Sequence, residues 1–319
     1  MHNKNNTQKA AHIIANGGLV AFPTETVYGL GANALNAEAV AKIFALKERP
    51  SFDPLIVHID TFDWLEKLTK NTAPEIIPFL EHFMPGPLTV VLEKSDIVPP
   101  IVTSGLNTVG IRMPNNDIAR ELIRLSGCPI AAPSANKFGQ LSPSSAAHVR
   151  KQLPNVDYIL DGGNTQVGIE STIITFNDKE CTLLRPGIIT PEEITKYLPE
   201  GYTFTTKKIE SIIAPGLLQS HYSPKKPLFI FDTLPENFPP HSGLILHKTM
   251  ETPIVERCIF TSHTGNLVEV AAQLFSSLHT MEDDNSVEHI YIQAVAENGL
   301  GVAIMDRMKK AAFQYKPAP

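Results

Sequence analysis

Along the first two-thirds of the chain, apolar residues gather in short runs separated by stretches with helical spacing. Runs at 19–22, 55–59, 88–92, 109–113, 129–133, 158–160, 171–176 and 182–185 are bounded by Gly, Pro or polar clusters and predict buried strands. Between them, apolar positions recurring every three or four residues over 7–16, 37–48, 61–70, 74–82, 116–126 and 144–152 predict helices. Gly17 stands where a C-terminal cap belongs, and Asn36 where an N-terminal cap does. Strands alternating with helices argue for an α/β layer. The close pair 171–176 and 182–185 argues for a mixed sheet rather than a purely parallel one.

The pattern breaks over 206–227, where prolines are too frequent for an element interior and a linker is predicted. The linker is not a plain spacer, because it carries Leu217, Leu218, His221 and Tyr222, side chains that prefer contact. After it the α/β pattern resumes on a smaller scale. Strands are predicted at 228–231, 244–246, 258–260 and 290–292. One helix opens at the Asn266/Glu269 capping box, and a last one runs from after Gly299 through Ala311. The predicted organisation is an open α/β domain with a twisted mixed sheet (1–205), a linker (206–227) and a smaller three-layer, Rossmann-like α/β domain (228–319).

Composition narrows the function classes. The 319 residues carry 27 Lys and Arg against 33 Asp and Glu, a net charge of −6 with no long basic block, which disfavours nucleic-acid binding as the main role. Cys128, Cys181 and Cys258 stand far apart, which excludes a sequence-local zinc cluster and fits a reducing cytosol. The polar N-terminus has no signal-peptide core, and no apolar run reaches the length of a membrane span, so a cytoplasmic protein without a membrane partner is expected.

Chemistry concentrates at the predicted strand ends. Residues 22–31, Phe-Pro-Thr-Glu-Thr-Val-Tyr-Gly-Leu-Gly, crowd hydroxyls and a carboxylate beyond the first strand, with two glycines expected to let the backbone turn. Lys47 and Arg49 sit at a helix exit beside two prolines. As surface charges they would suit the helix dipole; as a fork and a point charge they would suit a polyphosphate. His58 interrupts an apolar strand, the usual setting of a satisfied core histidine. Arg112, also inside a strand, requires an anion, either an internal carboxylate or a substrate's. The loop from Ala131 to Ser145 offers serine hydroxyls, one asparagine and backbone N–H groups to phosphate oxygens. Ser171 and Arg185 lie on neighbouring predicted strands. Walker A, dinucleotide and kinase patterns are missing from the sequence, so a nucleotide site here is of another kind. Together these signals describe a concave site for an anionic small molecule.

The ordered motifs PTETVYGLG, LKERP…DPLIVHI, MPGPLT, VGIRMP, APSAN…LSPS, DGG…GIESTI and LRPG closely resemble the YrdC/Sua5 family over nearly all of residues 7–200. The linker APGLLQSHYSP and the trailing module resemble its long, Sua5-type members. The resemblance implies an L-threonylcarbamoyladenylate synthase, a nucleotidyltransferase that joins L-threonine, bicarbonate or CO₂ and ATP into threonylcarbamoyl-AMP and releases pyrophosphate. Its product would pass to a tRNA threonylcarbamoyl transferase that modifies adenosine 37 of tRNAs reading ANN codons. By motif position, Thr26, His58, Arg112, the Ala132 backbone and Ser171 would hold threonine. Lys47, Arg49, Asp53, Thr108, Ser134, Asn136, Ser142, Arg185 and Tyr222 would contact ATP, with Lys47 and Arg49 in the catalytic role. Mg²⁺ would arrive on the phosphates, with no organic cofactor and no protein metal cage, and the chain is expected to act as a monomer. Asp53 departs from the family's more usual asparagine, which puts its contact with ATP in doubt.

Two other classes compete. A double-stranded RNA-binding module would need a basic concave surface, against which the net charge counts. A threonine–nucleotide sensor without turnover would share the site and differ only in lacking chemistry. The hydrogenase-maturation carbamoyltransferases that embed a similar domain carry cysteine zinc motifs, which this chain lacks.

Overall fold

The computed structural model describes residues 4–206, 215–216, 218 and 221–315. Of the predicted linker, 207–214, 217, 219 and 220 therefore lie outside the described residues, Leu217 among them. The chain forms one large mixed sheet and one small parallel sheet, each with its own helices.

The large sheet contains β1 (Val20–Phe22), β2 (Gly29–Asn33), β3 (Ile56–His58), β4 (Leu88–Glu93), β5 (Thr108–Arg112), β6 (Ile130–Ala131), β7 (Tyr158–Ile159), β8 (Thr172–Asn177), β9 (Glu180–Arg185) and β10 (Thr203–Thr205). Their spatial order is β10-β9-β8-β4-β5-β3-β6-β2-β1-β7, with β3–β5 and β4–β8 parallel and β4–β5 and β8–β9 antiparallel. The mixed character predicted from the late strand pair is therefore general. Helices α1 (Lys4–Ala15), α2 (Ala37–Lys47), α3 (Phe62–Leu68), α4 (Ile77–Phe83), α5 (Asp117–Ser126), α6 (Ala146–Gln152) and α7 (Pro191–Tyr197) accompany it. Asn36 caps α2 by accepting from the amides of Glu38 and Ala39, as its position predicts.

Strand alternation sorts the faces. Val57, Val90, Val109, Ile111 and Ile174 point into the main apolar core. Ile56, Val91 and Ile173 point the other way and form a small separate cluster, which marks the face that carries the polar residues discussed below.

One expectation fails here. Gly29 and Gly31 do not make a turn; they lie inside β2, paired antiparallel with β1. Their role is close approach. A Cβ at Gly31 would sit 2.7 Å from Ile130 Cγ2 and 2.8 Å from the Phe22 ring, so only glycine lets that ring lie across the strand.

The small sheet contains β11 (Leu228–Phe231), β12 (Ser242–Leu246), β13 (Arg257–Phe260) and β14 (His289–Gln293) in the order β11-β14-β12-β13, all parallel. Helices α8 (Leu267–Asp283) and α9 (Leu300–Ala312) both join a core with Leu228, Ile245, Ile290 and Ile292, which share one face of the sheet. The opposite face presents Phe229 and Tyr291 beneath Phe238. The third layer predicted for this module is thus a loop, because the β11–β12 connection is not helical.

The same core takes in Val27, Leu141 and Ile169 from the first sheet's loops, so the two units share apolar contacts. Polar ties reinforce them: Lys151 pairs with Glu282 at 2.7 Å and also with Asp283, and His148 stacks on His279 at 3.8 Å. Gly168 is where the backbones come closest. Its φ is +76°, and a Cβ there would meet the Ala271 carbonyl of α8 at 2.4 Å. Gly168→Ala is therefore expected to lower unfolding stability by about 2 kcal/mol or more, combining left-handed strain with overpacking against backbone. A urea midpoint equal to wild type would show that the α8 contact is not held in solution.

Candidate active site

The polar residues of the open face form a row across adjacent strands. Arg185 on β9 opposes Ile173 on β8, and Ile173 opposes Thr89 on β4. Thr89 lies one step beyond the Val90–Ile111 pair, level with Arg112 on β5, and Arg112 opposes His58 on β3. Ala132, just past β6, donates its amide to the Ile56 carbonyl at 2.9 Å and ends the row. Three interstrand spacings separate Arg112 from Arg185, about 14 Å. Arg49, His58, Arg112, Ala132, Pro133, Ser134, Ser171 and Arg185 line one cavity, closed on its far side by Pro215, Gly216, His221 and Tyr222. Its free volume is only about 50 Å³. In this conformation that space admits a few waters but no triphosphate.

Each cation is tethered. Arg112 is paired with Glu25 at 2.9 Å, both groups about 95% buried. The anion that Arg112 requires is thus internal, met through Nη2 and Glu25 Oε1, yet Arg112 Nε and Glu25 Oε2 make no hydrogen bond, which leaves Nε a donor for a further partner. Arg49 donates Nε to the Asp53 carbonyl and Nη2 to the Pro54 carbonyl, and pairs with the Asp53 carboxylate at 2.9 Å. Asp53 therefore acts on Arg49; it does not line the cavity. Burial pushes the Asp53 carboxyl up, against the opposing pull of Arg49 and Lys47.

Lys47 is also off the cavity wall. Its Nζ donates to the Ser134 carbonyl at 2.6 Å and to the Asn136 carbonyl, tying the end of α2 to the 134–136 loop. Burial first, and then Arg49, lowers its affinity for a proton far below that of an ordinary lysine. Arg185 donates Nε and Nη2 to the Ser171 carbonyl and Nη2 to the Ser171 hydroxyl at 3.1 Å, while Nη1 reaches the Pro215 carbonyl.

The other predicted residues divide similarly. Thr26 is fully buried and bonds Thr24 Oγ1 at 2.8 Å; it is Thr24, organising the turn through the Val27 carbonyl and the Thr26 and Val27 amides, that lines the cavity. Asn136 spends its side-chain amide on the Lys137 and Gln140 carbonyls and lies off the wall. Ser142 is buried beneath Glu170, to which its hydroxyl donates. Thr108 shares the face of Arg112 but sits four residues back along β5, about 13 Å away, where it lines a second hollow with Glu93 and Thr175. Tyr222 closes the cavity with a left-handed φ of +61°, its ring packed against His221 and Phe275.

Glu170 and His221 also line the cavity and were not among the predicted site residues. Glu170 had a signal: it is a carboxylate directly before the predicted strand 171–176. His221 had only its place in a contact-prone linker.

Two family models match the chain: one described as "Telomere recombination" (Sua5/YciO/YrdC) over residues 12–187, and one described as the C-terminal domain of threonylcarbamoyl-AMP synthase over 189–313. The chain belongs to the Sua5/YciO/YrdC family. It is 42% identical to the threonylcarbamoyl-AMP synthase of Pyrococcus abyssi, covering 95% of this chain and 93% of that one. It is 41% identical to the Bacillus subtilis protein of the same name, covering 95% and 92%. The crystal structure of P. abyssi Sua5 complexed with L-threonine superposes with a TM-score of 0.86 at 39% identity, over 96% of this chain and 94% of that one. That agreement includes the second module, so the family's long, two-unit form applies here.

His58 supplies a pH test. Burial, and then the Arg112 charge, lower its pKa to about 3, so it is neutral at physiological pH and its Nδ1 is free of a hydrogen-bond partner. A histidine that resists protonation only when folded contributes stability above its unfolded pKa near 6.5, and that stability drains as pH falls toward 3. His58→Gln is expected to lose less stability than wild type between pH 7 and pH 4, with a slope shallower by up to about 1.4 kcal/mol per pH unit in denaturant titrations. Parallel slopes would mean that His58 is not held neutral.

Proposed function

We propose that this chain is a threonylcarbamoyl-AMP synthase, converting L-threonine, bicarbonate or CO₂ and ATP into threonylcarbamoyl-AMP and pyrophosphate. The observation that carries the reading is the row itself. It sets Arg112, whose Nε is unspent, about 14 Å from Arg185 along one cavity, and Arg49, close enough to Arg185 to feel its charge, lines the same cavity. An amino acid's carboxylate suits the Arg112 end, beside neutral His58, whereas the Ser171 hydroxyl, held by Arg185, lies toward the phosphate end. A nucleotide's phosphates suit the Arg49 and Arg185 end, with Ser134 on the wall and Thr108 within reach of a molecule laid along β5.

The residues assigned here point to catalysis by placement. Among the described residues that line the cavity, none is arranged as a covalent nucleophile. Holding the threonine amine, the one-carbon unit and the α-phosphate in line turns an encounter into a near-intramolecular reaction, an advantage of about 7–11 kcal/mol in well-oriented systems. Arg49 and Arg185 would stabilise charge as pyrophosphate leaves. Lys47, already bonded to two carbonyls, shapes the 134–136 loop and in this reading positions rather than reacts. Each carboxylate around the cavity, Glu25, Asp53 and Glu170, is paired with an arginine. Mg²⁺ would therefore be held mainly through the phosphates of ATP, where it would neutralise their charge. The 215–222 segment, over the cavity, would shield the labile adenylate from water. The product would pass to a tRNA threonylcarbamoyl transferase.

Pyrophosphate release that depends on both threonine and bicarbonate is the direct test. Arg112→Ala is expected to raise the threonine KM by at least about tenfold, the order associated with losing one charge-assisted pair, with a smaller effect on kcat. Arg49→Ala is expected to lower kcat predominantly. Threonine affinity unchanged in Arg112→Ala would overturn the assignment of that end of the row.

A further inference from the structure

Among the side chains that the second module sends toward the cavity, one carries a buried charge. Arg307, on α9, is fully buried. Its Nε donates to Glu170 Oε2 at 2.8 Å, and its Nη1 donates to the Pro186 carbonyl at 2.9 Å and to Asp306 at 2.7 Å. Nη2 reaches the Glu170 carbonyl at 3.4 Å. The other Glu170 oxygen is taken by the Ser142 hydroxyl. The two segments Arg307 grips are those that precede Ser171 and follow Arg185, the pair at the phosphate end of the row. Its guanidinium also lies 5.5 Å from the Tyr222 ring, which closes the cavity.

This arrangement resolves a conflict of charge. Glu170 stands on the wall of a cavity read above as binding a polyphosphate, and a bare carboxylate there would repel it. Burial alone would push its carboxyl toward the neutral acid, but Arg307, Arg185 and Ser142 outweigh burial and hold it ionised. The charge is present and is cancelled from the second module.

We propose that Arg307 is a positioning residue through which the C-terminal module governs nucleotide retention, by neutralising Glu170 and fixing the Ser171 and Arg185 backbones on either side. When the module is seated, the phosphate end is net cationic; when it lifts, Glu170 is uncovered and the nucleotide is repelled. The inference rests on the synthase reading, which supplies the nucleotide.

The test measures binding of an ATP analogue methylene-bridged between its α and β phosphates, with Mg²⁺, and separately of L-threonine, by calorimetry on the full chain. Arg307→Met is expected to weaken the analogue on the order of tenfold, as one uncancelled charge about 12 Å away does at an effective dielectric near 20, and threonine by less than about threefold. Glu170→Gln is expected to shift the analogue the opposite way, tightening it a few-fold, because Arg307 is then uncancelled. The double variant should return near wild type. A purely structural link would weaken both ligands in both single variants, and that result, or a double variant as weak as Arg307→Met, overturns the proposal. Should Arg307→Met fail to fold, Glu170→Gln still decides: analogue binding that weakens or stays unchanged refutes it. Lack of threonine-dependent pyrophosphate release by the wild type would instead remove the synthase reading, while the opposite-sign comparison with the analogue could still be made.

Discussion

Burying positive charge is the constraint around which this molecule is arranged. Lys47, Arg49, Arg112, Arg185 and Arg307 are each nine-tenths or more out of water, and an isolated cation there would cost several kilocalories per mole. Every one is therefore answered at short range, by Ser134 and Asn136 carbonyls, by Asp53, by Glu25, by the Ser171 carbonyl or by Glu170. Those answers dictate local structure. The 134–136 loop curls toward the end of α2 because Lys47 needs its carbonyls. The turn after α2 folds back because Arg49 needs those of Asp53 and Pro54. The cavity is what remains between groups arranged to satisfy one another.

How far the chain could be read in advance follows from the range of the interactions involved. Strand and helix positions were legible because alternation and caps are local: Asn36 caps α2 where the pattern places it, and the 171–185 pair is the β8–β9 hairpin. The glycines of β2 were misread because their cause is distant in sequence. Nothing near Gly31 announces that the Phe22 ring and Ile130 will lie against it. The row from Arg185 to His58 was legible only as a set of strand-end residues; its order depends on strand pairings between segments up to a hundred residues apart. Arg307 was legible in principle, as a charge among Ile304, Met305 and Met308 on an apolar helix face. Its complement, Glu170, was a carboxylate at the entry to a predicted buried strand. Two opposite charges, each misplaced in its own segment, are a pairing signal that neither segment carries alone.

The distinction between lining the cavity and supporting it also sharpens the site. Family motifs gather residues of both kinds without separating them. Thr24, Arg49, His58, Arg112, Ser171 and Arg185 face the space, whereas Thr26, Lys47, Asp53, Asn136 and Ser142 stand behind and hold those that do. This pattern suits a reaction driven by placement, where a shift of an ångström in a supporting group misaligns the reacting atoms as effectively as losing a contact. Asp53 illustrates it. A carboxylate at a phosphate site is unfavourable as a direct contact, but as the partner that fixes the Arg49 fork it serves the same site without facing the ligand.

Closure is the last consequence of the same physics. A cavity of about 50 Å³ lined by arginines is stable because its charges are satisfied internally, with Pro215, Gly216, His221 and Tyr222 on its wall. In the synthase reading, ATP and threonine would replace some of those internal partners by ligand charges, among them the Pro215 carbonyl, an acceptor for Arg185. Segment and phosphates thus compete for one guanidinium. A competition of this kind makes opening cheap only when a strong anion is present to take the segment's place, and it allows the segment to return once pyrophosphate has left. In the synthase reading, the arginine bonded to the Pro215 carbonyl would thus couple the position of that carbonyl to the phosphates.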